Sequence, residues 1–374
     1  MQINTTTLKT MCSKLLNALD TDSSSALSDT VELRIENKVL SLMVAGDDYR
    51  VKTKASIDND GTFRTVVNAD VFLKLVGQTT TDTVDLVIND TILTITGNGE
   101  YKLPMVYAGD KLIEFPDFSI QNETNSFSVS KDVLASIAEY NTKELAKGTA
   151  MTPIQKMYYV DKEGCITFTS GACVNKFSLS EDVKFLLQGK TVKLFKLFLS
   201  GDDKVEIKLG KDTVDGITVD KITVSDSMTE LISTMITNPD VLTMVPKDTI
   251  RGMLDNEYTY SVSLSKQTLL GIINRLTLFT PTTLYAQPWG YFEFGAKQVK
   301  IFDKNKHNVE VLPYVGTVLD IDEGSEQTVL LDMADVKSAI ERMKTDTFTF
   351  KFGNSKAVVI NQGNISNVIP ECMD

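Results

Sequence analysis

Residues 68–88 read NADVFLKLVGQTTTDTVDLVI, and this stretch decides the fold because its pattern occurs three times. An apolar segment with helical spacing is followed at once by residues that alternate between apolar and polar, as in a half-buried strand. The same order occurs at residues 189–209, GKTVKLFKLFLSGDDKVEIKL, and at residues 332–352, DMADVKSAIERMKTDTFTFKF. The first and third copies also share Thr-Asp-Thr, at residues 81–83 and 345–347. The repetition predicts a module that occurs three times in the chain.

A second helical stretch precedes each of these copies. Each has apolar residues at helical spacing, with a leucine at an equivalent position, and a Ser, Thr or Asn available as the N-cap. The three stretches are NTTTLKTMCSKLLNAL at 4–19, SVSKDVLASIAEY at 128–140 and SLSKQTLLGIINRL at 263–276. Short alternating runs between the helices predict antiparallel strands. We therefore expect an α+β fold of three modules, each with two helices packed on antiparallel sheet, at residues 1–122, 123–246 and 247–374.

The chain has 374 residues with 50 acidic and 38 basic side chains, a formal net charge of −12. A protein that grips nucleic acid over its whole surface would be basic, so this balance argues against a general DNA-coating protein. It permits basic residues concentrated on one face, because the local field near phosphates matters more than the sum. No apolar run approaches the ~20 residues that span a bilayer, and we see no secretion leader. We expect a cytoplasmic protein without a membrane segment.

The sequence offers no specific catalytic or metal-binding pattern. The single histidine, His307, lies in a polar stretch that is best explained as a surface loop. The four cysteines, Cys12, Cys165, Cys173 and Cys372, lack metal-ligand spacing. We expect reduced thiols, with a Cys165–Cys173 bridge across a hairpin as the alternative. There is no glycine-rich phosphate loop and no nucleophile elbow, so we expect neither an enzyme nor a bound cofactor or metal.

Basic side chains recur along the helical stretches of all three repeats. On any single helix they are explained as the solvated face of an amphipathic helix. Acidic residues are more frequent in turns and strands, so equivalent helices facing one axis would present a positive surface to a polyanion. Such contacts would bind phosphates and would not read bases. The residues that we expect to face DNA on this interpretation are Lys9, Lys14, Lys74, Lys143, Lys147, Lys193, Lys196, Arg275, Lys337 and Arg342.

Three stretches resemble the bacterial DNA sliding clamp, the β subunit of DNA polymerase III. They are the run ending GNGEYKLPMVYAGDKLIEFPDF at 97–118, ITFTSGACVNKF at 166–177, and NPDVLTMVPK at 238–247. Each is weak alone, but their order and spacing are specific, and the resemblance covers essentially the whole chain. It implies that each chain forms half of a ring, closed by a head-to-tail homodimer around double-stranded DNA. It also implies non-enzymatic tethering of DNA polymerase and clamp loader through short linear peptides.

The resemblance further implies a peptide pocket between the second and third modules. The apolar run after Pro239 and the chain terminus would form two of its walls. For the apolar members, plain packing between modules is the alternative. The residues carried over to the pocket are Ile154, Met157, Thr169, Gly171, Ala172, Val174, Pro239, Thr243, Met244, Asn367, Ile369, Pro370, Glu371 and Cys372.

This chain departs from the family pattern inside that pocket. The terminus, usually Met-Pro-Met-Arg-Leu, ends here in Ile-Pro-Glu-Cys-Met-Asp, and the usual Asp-Gly-His-Arg-Leu is Ser-Gly-Ala-Cys-Val. An arginine expected in the crossing segment is Thr243. A pocket that loses basic groups and gains Glu371 should bind acidic peptide ends less well. We therefore expect partners with a different motif, which would suit a clamp encoded by a bacteriophage or mobile element.

Two further interpretations remain open on the sequence. A clamp-like platform for transcription or recombination would share the same tethering physics. A structural or interaction protein that reuses the clamp fold would lack the ring around DNA.

Overall fold

The computed structural model forms two compact units. Unit 1 comprises residues 1–135 and 190–236, and unit 2 comprises residues 136–189 and 237–374. The residues that the structure describes are 1–20, 23, 25–58, 61–115, 119–141, 154, 157–168, 171–214, 216–280, 287–322 and 324–373. No helix within them is long and apolar enough to cross a membrane.

The first repeat begins with a short strand and a helix. Its elements are β1 (Gln2–Asn4), α1 (Thr5–Leu16), β2 (Thr30–Glu36), β3 (Val39–Ala45), β4 (Tyr49–Ser56), β5 (Phe63–Asn68), α2 (Ala69–Gln78), β6 (Thr83–Asn89), β7 (Ile92–Thr96) and β8 (Glu100–Pro104). Both helices begin at an asparagine whose side chain accepts from a backbone N–H of the first turn, Asn4 from Thr7 and Asn68 from Val71. This is the capping that the sequence predicts. A two-stranded hairpin follows, β9 (Tyr107–Ala108) and β10 (Lys111–Leu112).

The second repeat has the same order of elements with shorter helices. Its elements are β11 (Asn122–Ser130), α3 (Lys131–Ser136), β12 (Met157–Asp161), β13 (Gly164–Phe168), β14 (Ala172–Lys176), β15 (Lys184–Gln188), α4 (Gly189–Leu194), β16 (Lys204–Val214), β17 (Ile217–Ser225) and β18 (Thr229–Thr234). A π-helical turn, Ile137–Asn141, extends α3, and a 3-10 turn, Phe195–Phe198, extends α4.

Two helices lead into the third repeat, α5 (Pro239–Thr243) and α6 (Lys247–Asp255). The elements that follow are β19 (Tyr260–Ser265), α7 (Lys266–Leu276), β20 (Trp289–Phe294), β21 (Gln298–Asp303), β22 (Val309–Pro313), β23 (Gln327–Asp332), α8 (Met333–Glu341), β24 (Thr347–Phe352), β25 (Ala357–Gln362) and β26 (Ile365–Pro370). A 3-10 turn, Thr277–Phe279, extends α7.

The strands pair antiparallel in the same way in each repeat. The four-strand orders β1-β6-β7-β8, β11-β16-β17-β18 and β19-β24-β25-β26 are equivalent, and so are β5-β2-β3-β4, β15-β12-β13-β14 and β23-β20-β21-β22. In unit 1, β18 pairs with β4 and joins two of these groups into an eight-stranded sheet. In unit 2, β14 pairs with β26 and joins two others. The α+β class and antiparallel sheets predicted from the sequence are confirmed.

These joins explain why the contacts define two units although the element order repeats three times. Each eight-stranded sheet combines strands from two successive repeats, so the second repeat is divided between the units. The three domain boundaries drawn from the sequence remain a prediction.

Strand alternation places phenylalanines in the core of the third repeat. In β20, Phe292 and Phe294 are fully buried, and in β24 the same holds for Phe350, while Phe352 is almost so. The rings of Phe294 and Phe352 stack with centroids 4.0 Å apart. Successive side chains of a strand point to opposite faces, so YFEF and FTFKF necessarily direct their alternate phenylalanines inward.

Candidate functional site

An apolar groove lies on unit 2 where β14 pairs with β26. Ala172 lies opposite Val368 and Val174 opposite Ser366 in this join. The groove has a volume of about 450 Å³. Its lining residues are Ile154, Phe168, Gly171, Ala172, Met244, Pro246, Thr249, Ile250, Met253, Lys356, Ala357, Val368 and Pro370. Lys356 is the charged residue of this lining, and its side chain is exposed.

The segment before the third repeat provides one side of the groove. Asn238 begins α5 by accepting from the Asp240 N–H at 2.8 Å, and Pro239 occupies the first turn, where its missing N–H costs nothing. Ile250 and Met253 on α6 are three residues apart, so they lie on one face of the helix, and both line the groove. Helix α6 is therefore the element that closes this side.

An ion-pair cluster holds α6 against the hairpin between β12 and β13. The Arg251 Nη2 atom donates to Asp161 Oδ1 at 2.7 Å, and Nη1 lies 3.1 Å from Glu163 Oε2. The Glu163 N–H also donates to Asp161. Burial alone would raise the pKa of Asp161, but the hydrogen bonds from Arg251 and the Glu163 N–H outweigh it and hold that pKa below its ordinary value of 3.8.

We expect Arg251→Gln to loosen α6 and to lower the stability of unit 2 by about 2 kcal/mol, because a buried carboxylate loses its charged donor. Urea unfolding, with hydrogen exchange of α6 amides, measures both effects. The lowered pKa of Asp161 means that its contribution is present above about pH 4 and is lost as the pH falls further, since the native carboxylate must then be protonated. Lys247→Gln is the matched control on the same helix, because Lys247 pairs with the exposed Asp248; an equal loss there would contradict the prediction.

Gly171 allows β14 and β26 to approach each other. A Cβ at this position would collide with the carbonyl oxygen of Val368 and press on the ring of Pro370. Any larger residue must therefore displace β26 at the groove. The glycine is required by this close approach and not by a positive φ.

The structure brings part of the expected pocket together. Five expected residues line the groove, namely Ile154, Gly171, Ala172, Met244 and Pro370. Thr169 lies outside the described residues. The other expected residues, which are not in the lining, are Met157, Val174, Pro239, Thr243, Asn367, Ile369, Glu371 and Cys372.

Strand alternation explains why part of the terminal segment is not in the lining. Val368 and Pro370 line the groove, whereas Asn367 and Ile369 are their neighbours in β26 and point to the other face. Ile369 belongs to the core of the third repeat. Asn367 accepts from Arg342 at 3.4 Å. These two residues therefore pack on the face of β26 opposite the groove and do not form its wall.

Glu371 and Cys372 follow β26 and are half-buried. Their backbone N–H groups donate to the carbonyls of Lys356 and Leu330. Burial raises the pKa of Glu371, and burial beside Asp332 and Asp335 raises that of Cys372 to about 11. The charged residue in the groove lining is thus Lys356 and not Glu371. The lower affinity expected for acidic peptide ends remains a prediction.

Several groove residues could not be assigned from the sequence. They are Phe168, Pro246, Thr249, Ile250, Met253, Lys356, Ala357 and Val368. The three-residue spacing of Ile250 and Met253 was the available signal for α6, but nothing local indicated which surface that helix covers.

The cations expected to face DNA have very different surroundings. Lys193 and Lys196 are exposed and make no ion pair within the described part of the chain. Lys9 is half-buried. Lys143 and Lys147 lie outside the described residues. Lys14 and Arg342 are buried, 8% and 6% exposed, so we do not retain them in the DNA-facing set.

The remaining three expected cations are engaged by carboxylates. Lys74 lies 2.7 Å from Asp70, Arg275 lies 2.5 Å from Glu310, and Lys337 lies 4.0 Å from Glu341. The buried Lys14 donates to Thr229 Oγ1 at 2.8 Å. Arg342 donates to the Ser338 carbonyl, and burial lowers its pKa to about 9.

Strands β8 and β22 end the two four-stranded sheets, one in each unit. In the repeat, β8 corresponds to β18 and β26, and β22 corresponds to β4 and β14. The internal joins pair β18 with β4 and β26 with β14. Val309 and Val311 on β22 are 50% and 46% exposed. Leu278 and Phe279, just after α7, are 79% and 56% exposed, and Arg275 of that helix pairs with Glu310 of β22. An apolar surface therefore lies beside an open sheet edge.

Comparison with solved structures identifies this arrangement. The β subunit of DNA polymerase III from Pseudomonas aeruginosa superposes with a TM-score of 0.80 at 12% identity, over 100% of each chain. The chain has the sliding-clamp fold. The DNA polymerase sliding clamp from Bacillus subtilis gives a TM-score of 0.77 at 14% identity, over 100% of this chain and 98% of the other. The Helicobacter pylori β clamp bound to a DNA ligase peptide gives 0.71 at 15% identity, over 100% and 99%.

The sequence matches no protein-family model, and a search of curated proteins found no match. The sliding-clamp fold is thus retained at 12–15% identity to these solved structures. Within the described residues, no group of three or more His, Cys, Asp or Glu side chains is placed to hold a metal ion.

Proposed function

We propose that this protein is a DNA sliding clamp, a non-enzymatic processivity factor that encircles duplex DNA as a ring of two chains. Its place is the cytoplasm of a bacterial cell or a phage-infected host. The full-length likeness to β subunits, with a TM-score of 0.80, carries the proposal. The direct test is retention on closed circular DNA and release when the circle is cut.

The internal joins support a head-to-tail dimer. Two equivalent pairs of strands are joined inside the chain, and β8 and β22 are the pair left over. Pairing β8 of one copy with β22 of another would repeat the same join and would bury the apolar surface at Leu278 and Phe279. Two such joins close a ring, because each copy contributes one edge of each kind.

The internal joins also predict the register. Lys52 lies opposite Glu230 in one join, and Val174 lies opposite Ser366 in the other. When these pairs are transferred by the repeat to β8 of one copy and β22 of the other, Glu100 lies opposite Val309 or Val311. The two alternatives differ by two residues, so the same side chains face the same side of the sheet in both.

We propose that Arg275 contacts the second copy. Aligning Leu8 with Leu269 makes Lys14 of α1 equivalent to Arg275 of α7. Lys14 reaches across its internal join to Thr229, at the start of β18. Arg275 would by the same geometry face the start of β8 in the partner.

The surface proposed to face DNA is polar more than charged. On α1 the exposed side chains are Thr6, Thr10, Ser13 and, at its end, Leu16, and on α7 they include Gln267 and Thr268. Among the cations expected to face DNA, Lys193 and Lys196 of the second repeat are exposed and make no ion pair with a described residue. Retention on DNA would then depend on closure of the ring, with only a modest electrostatic contribution.

We expect direct affinity for linear duplex DNA to be weak and to depend on few charges. Four lysines per ring give a slope of log K against log salt of about −3.6. Replacing Lys193 and Lys196 by Glu should remove most of that slope, whereas the exposed Lys184→Glu should leave it unchanged. Anisotropy titrations of labelled duplex over a range of salt decide this; an unchanged slope in the double variant would contradict the assignment.

The groove of unit 2 is proposed to hold short peptides of replication proteins. Its volume and apolar lining are those of a site for a short segment with two or three apolar side chains. Exposed Lys356 offers a partner for an acidic group at one end of such a peptide. DNA polymerase and clamp loader are the partners that the fold favours.

A further inference from the structure

Helix α6, one wall of the unit 2 groove, depends on tertiary contacts for its position. It has nine residues, of which Ile250 is buried. Its N-cap residue is Pro246, which has no side-chain acceptor, and the exposed Gly252 lowers its helix propensity. The Tyr258 hydroxyl donates to the Met253 carbonyl at 2.8 Å and holds the C-terminal end. Because so short a helix is stabilised mainly by its packing, the contacts of its middle turn decide where it lies.

Arg251 provides the charged contact of that middle turn. It follows Ile250 directly, so it points about 100° around the helix from that residue, and it is not in the groove lining. It donates to Asp161 Oδ1 at 2.7 Å and lies 3.1 Å from Glu163 Oε2. The side chains of Arg251 and Asp161 are 19% and 5% exposed, so water screens this pair weakly. This ion-pair cluster therefore fixes the rotation of α6 and its distance from the hairpin between β12 and β13.

The floor of the groove is held in a different way from this wall. Phe168 pairs with Ala172, and Ala172 pairs with Val368, so the backbone ladder of the sheet fixes their positions. Ile250 and Met253 reach the groove from α6, which lies outside that ladder. A change at the ion-pair cluster therefore alters the distance between the wall and the floor and leaves the floor itself in place.

We propose that the ion-pair cluster sets the width of the unit 2 groove and thereby the size of the apolar side chain that the groove accepts. The inference rests on the peptide site proposed above. Arg251, Asp161 and Glu163 act through α6 and are positioning residues. With the cluster intact, the wall is close to the floor and favours slender aliphatic side chains. With the cluster broken, α6 moves about its C-terminal end, and bulky aromatic side chains fit.

The width is measured without any ligand. Spin labels are attached at Thr249→Cys on α6 and at Lys356→Cys across the groove. Cys372→Ser is included because the other three cysteines are buried. Double electron–electron resonance should give a narrow distance distribution with the intact cluster. In Arg251→Gln we expect a broader distribution and a distance about 2 Å longer, as for other helix shifts.

Two further variants control the distance measurement. Glu163→Gln removes the more exposed carboxylate of the cluster and should give a smaller change in the same direction. It also provides the test if Arg251→Gln does not fold. Lys247→Gln alters a pair on the same helix, with the exposed Asp248, and should leave the distance unchanged.

The specificity is measured with N-acetyl-leucinamide and N-acetyl-tryptophanamide, followed by methyl NMR of Met244 and Met253 in the groove. Arg251→Gln should raise the ratio of tryptophan to leucine affinity by about 5-fold or more, which is the lower end of coupling between sites. A variant that is merely less stable would lose affinity for both amides equally. Arg251→Lys retains the charge and should restore most of the wild-type ratio.

Two results would overturn the proposal. One is an unchanged distance distribution in folded Arg251→Gln and Glu163→Gln, and the other is an unchanged affinity ratio in Arg251→Gln. If neither amide shifts the methionine methyls, the groove is not the apolar site of the proposed function. The distance measurement then decides by itself whether the cluster sets the width, so the two proposals fail separately.

Discussion

Replacing Leu278 and Phe279 by Asp is expected to convert a dimer into a monomer. Both side chains are largely exposed in the single chain, 79% and 56%, so the fold of the protomer should not depend on them. In the proposed ring they become buried beside the join of β8 and β22. Burying an apolar side chain contributes about 1.5–3 kcal/mol, and placing a carboxylate there costs more.

We expect the dissociation constant of the dimer to rise at least 100-fold, which is about 2.7 kcal/mol. Light scattering across a concentration series measures it, and the thermal unfolding of the protomer should stay the same. The matched control is Ile217→Asp, which replaces an equally exposed apolar residue at the start of β17, 68% exposed. If Ile217→Asp dissociates the dimer and the double variant does not, this interface is wrong.

Met244→Glu is expected to abolish peptide binding by the unit 2 groove. Met244 lines the groove yet is 61% exposed, so a charge there disturbs the site and not the core. We expect an affinity loss of at least 30-fold, because an apolar ligand side chain must then displace water from a carboxylate.

The probe for this test is the DNA ligase peptide found on the H. pylori clamp. If this chain does not bind it, a random peptide library selected on the wild-type chain supplies the ligand, and the same variant is measured. The control is Thr243→Glu, next to Met244 but not in the groove lining. Equal affinity of the wild type and Met244→Glu for the peptide would show that this groove is not the peptide site.

Alternation and repetition were sufficient to predict the fold class. The strands of YFEF and FTFKF, and the Asn or Ser caps of the helices, are local properties of the sequence. They depend on neighbours within a few residues, so the sequence shows them directly. The joins β18–β4 and β14–β26 pair strands far apart in the chain, and no local pattern indicates them.

The same distinction separates the site residues that were expected from those that were missed. The sequence around Lys14 is that of an amphipathic helix and predicts a solvated side chain. The lysine is instead buried, and its partner Thr229 is 215 residues away. Asn367 and Ile369 lie in the correct segment but on the opposite face of β26. The role of Arg251 also depends on a distant partner, Asp161. Contacts between residues far apart in the sequence determine which side chains are buried and which face of a sheet they point to. Local periodicity does not indicate either.

The central claim is a closed ring around DNA, and retention on circular plasmid tests it most directly. Chains carrying Glu100→Cys with Val309→Cys or Val311→Cys are assembled with nicked circular DNA, oxidised to crosslink the two joins, and washed at high salt. The account predicts that crosslinked protein stays on the circle in high salt and is released when a restriction enzyme linearises it. Removal by the salt wash alone, or retention after linearisation, would contradict it.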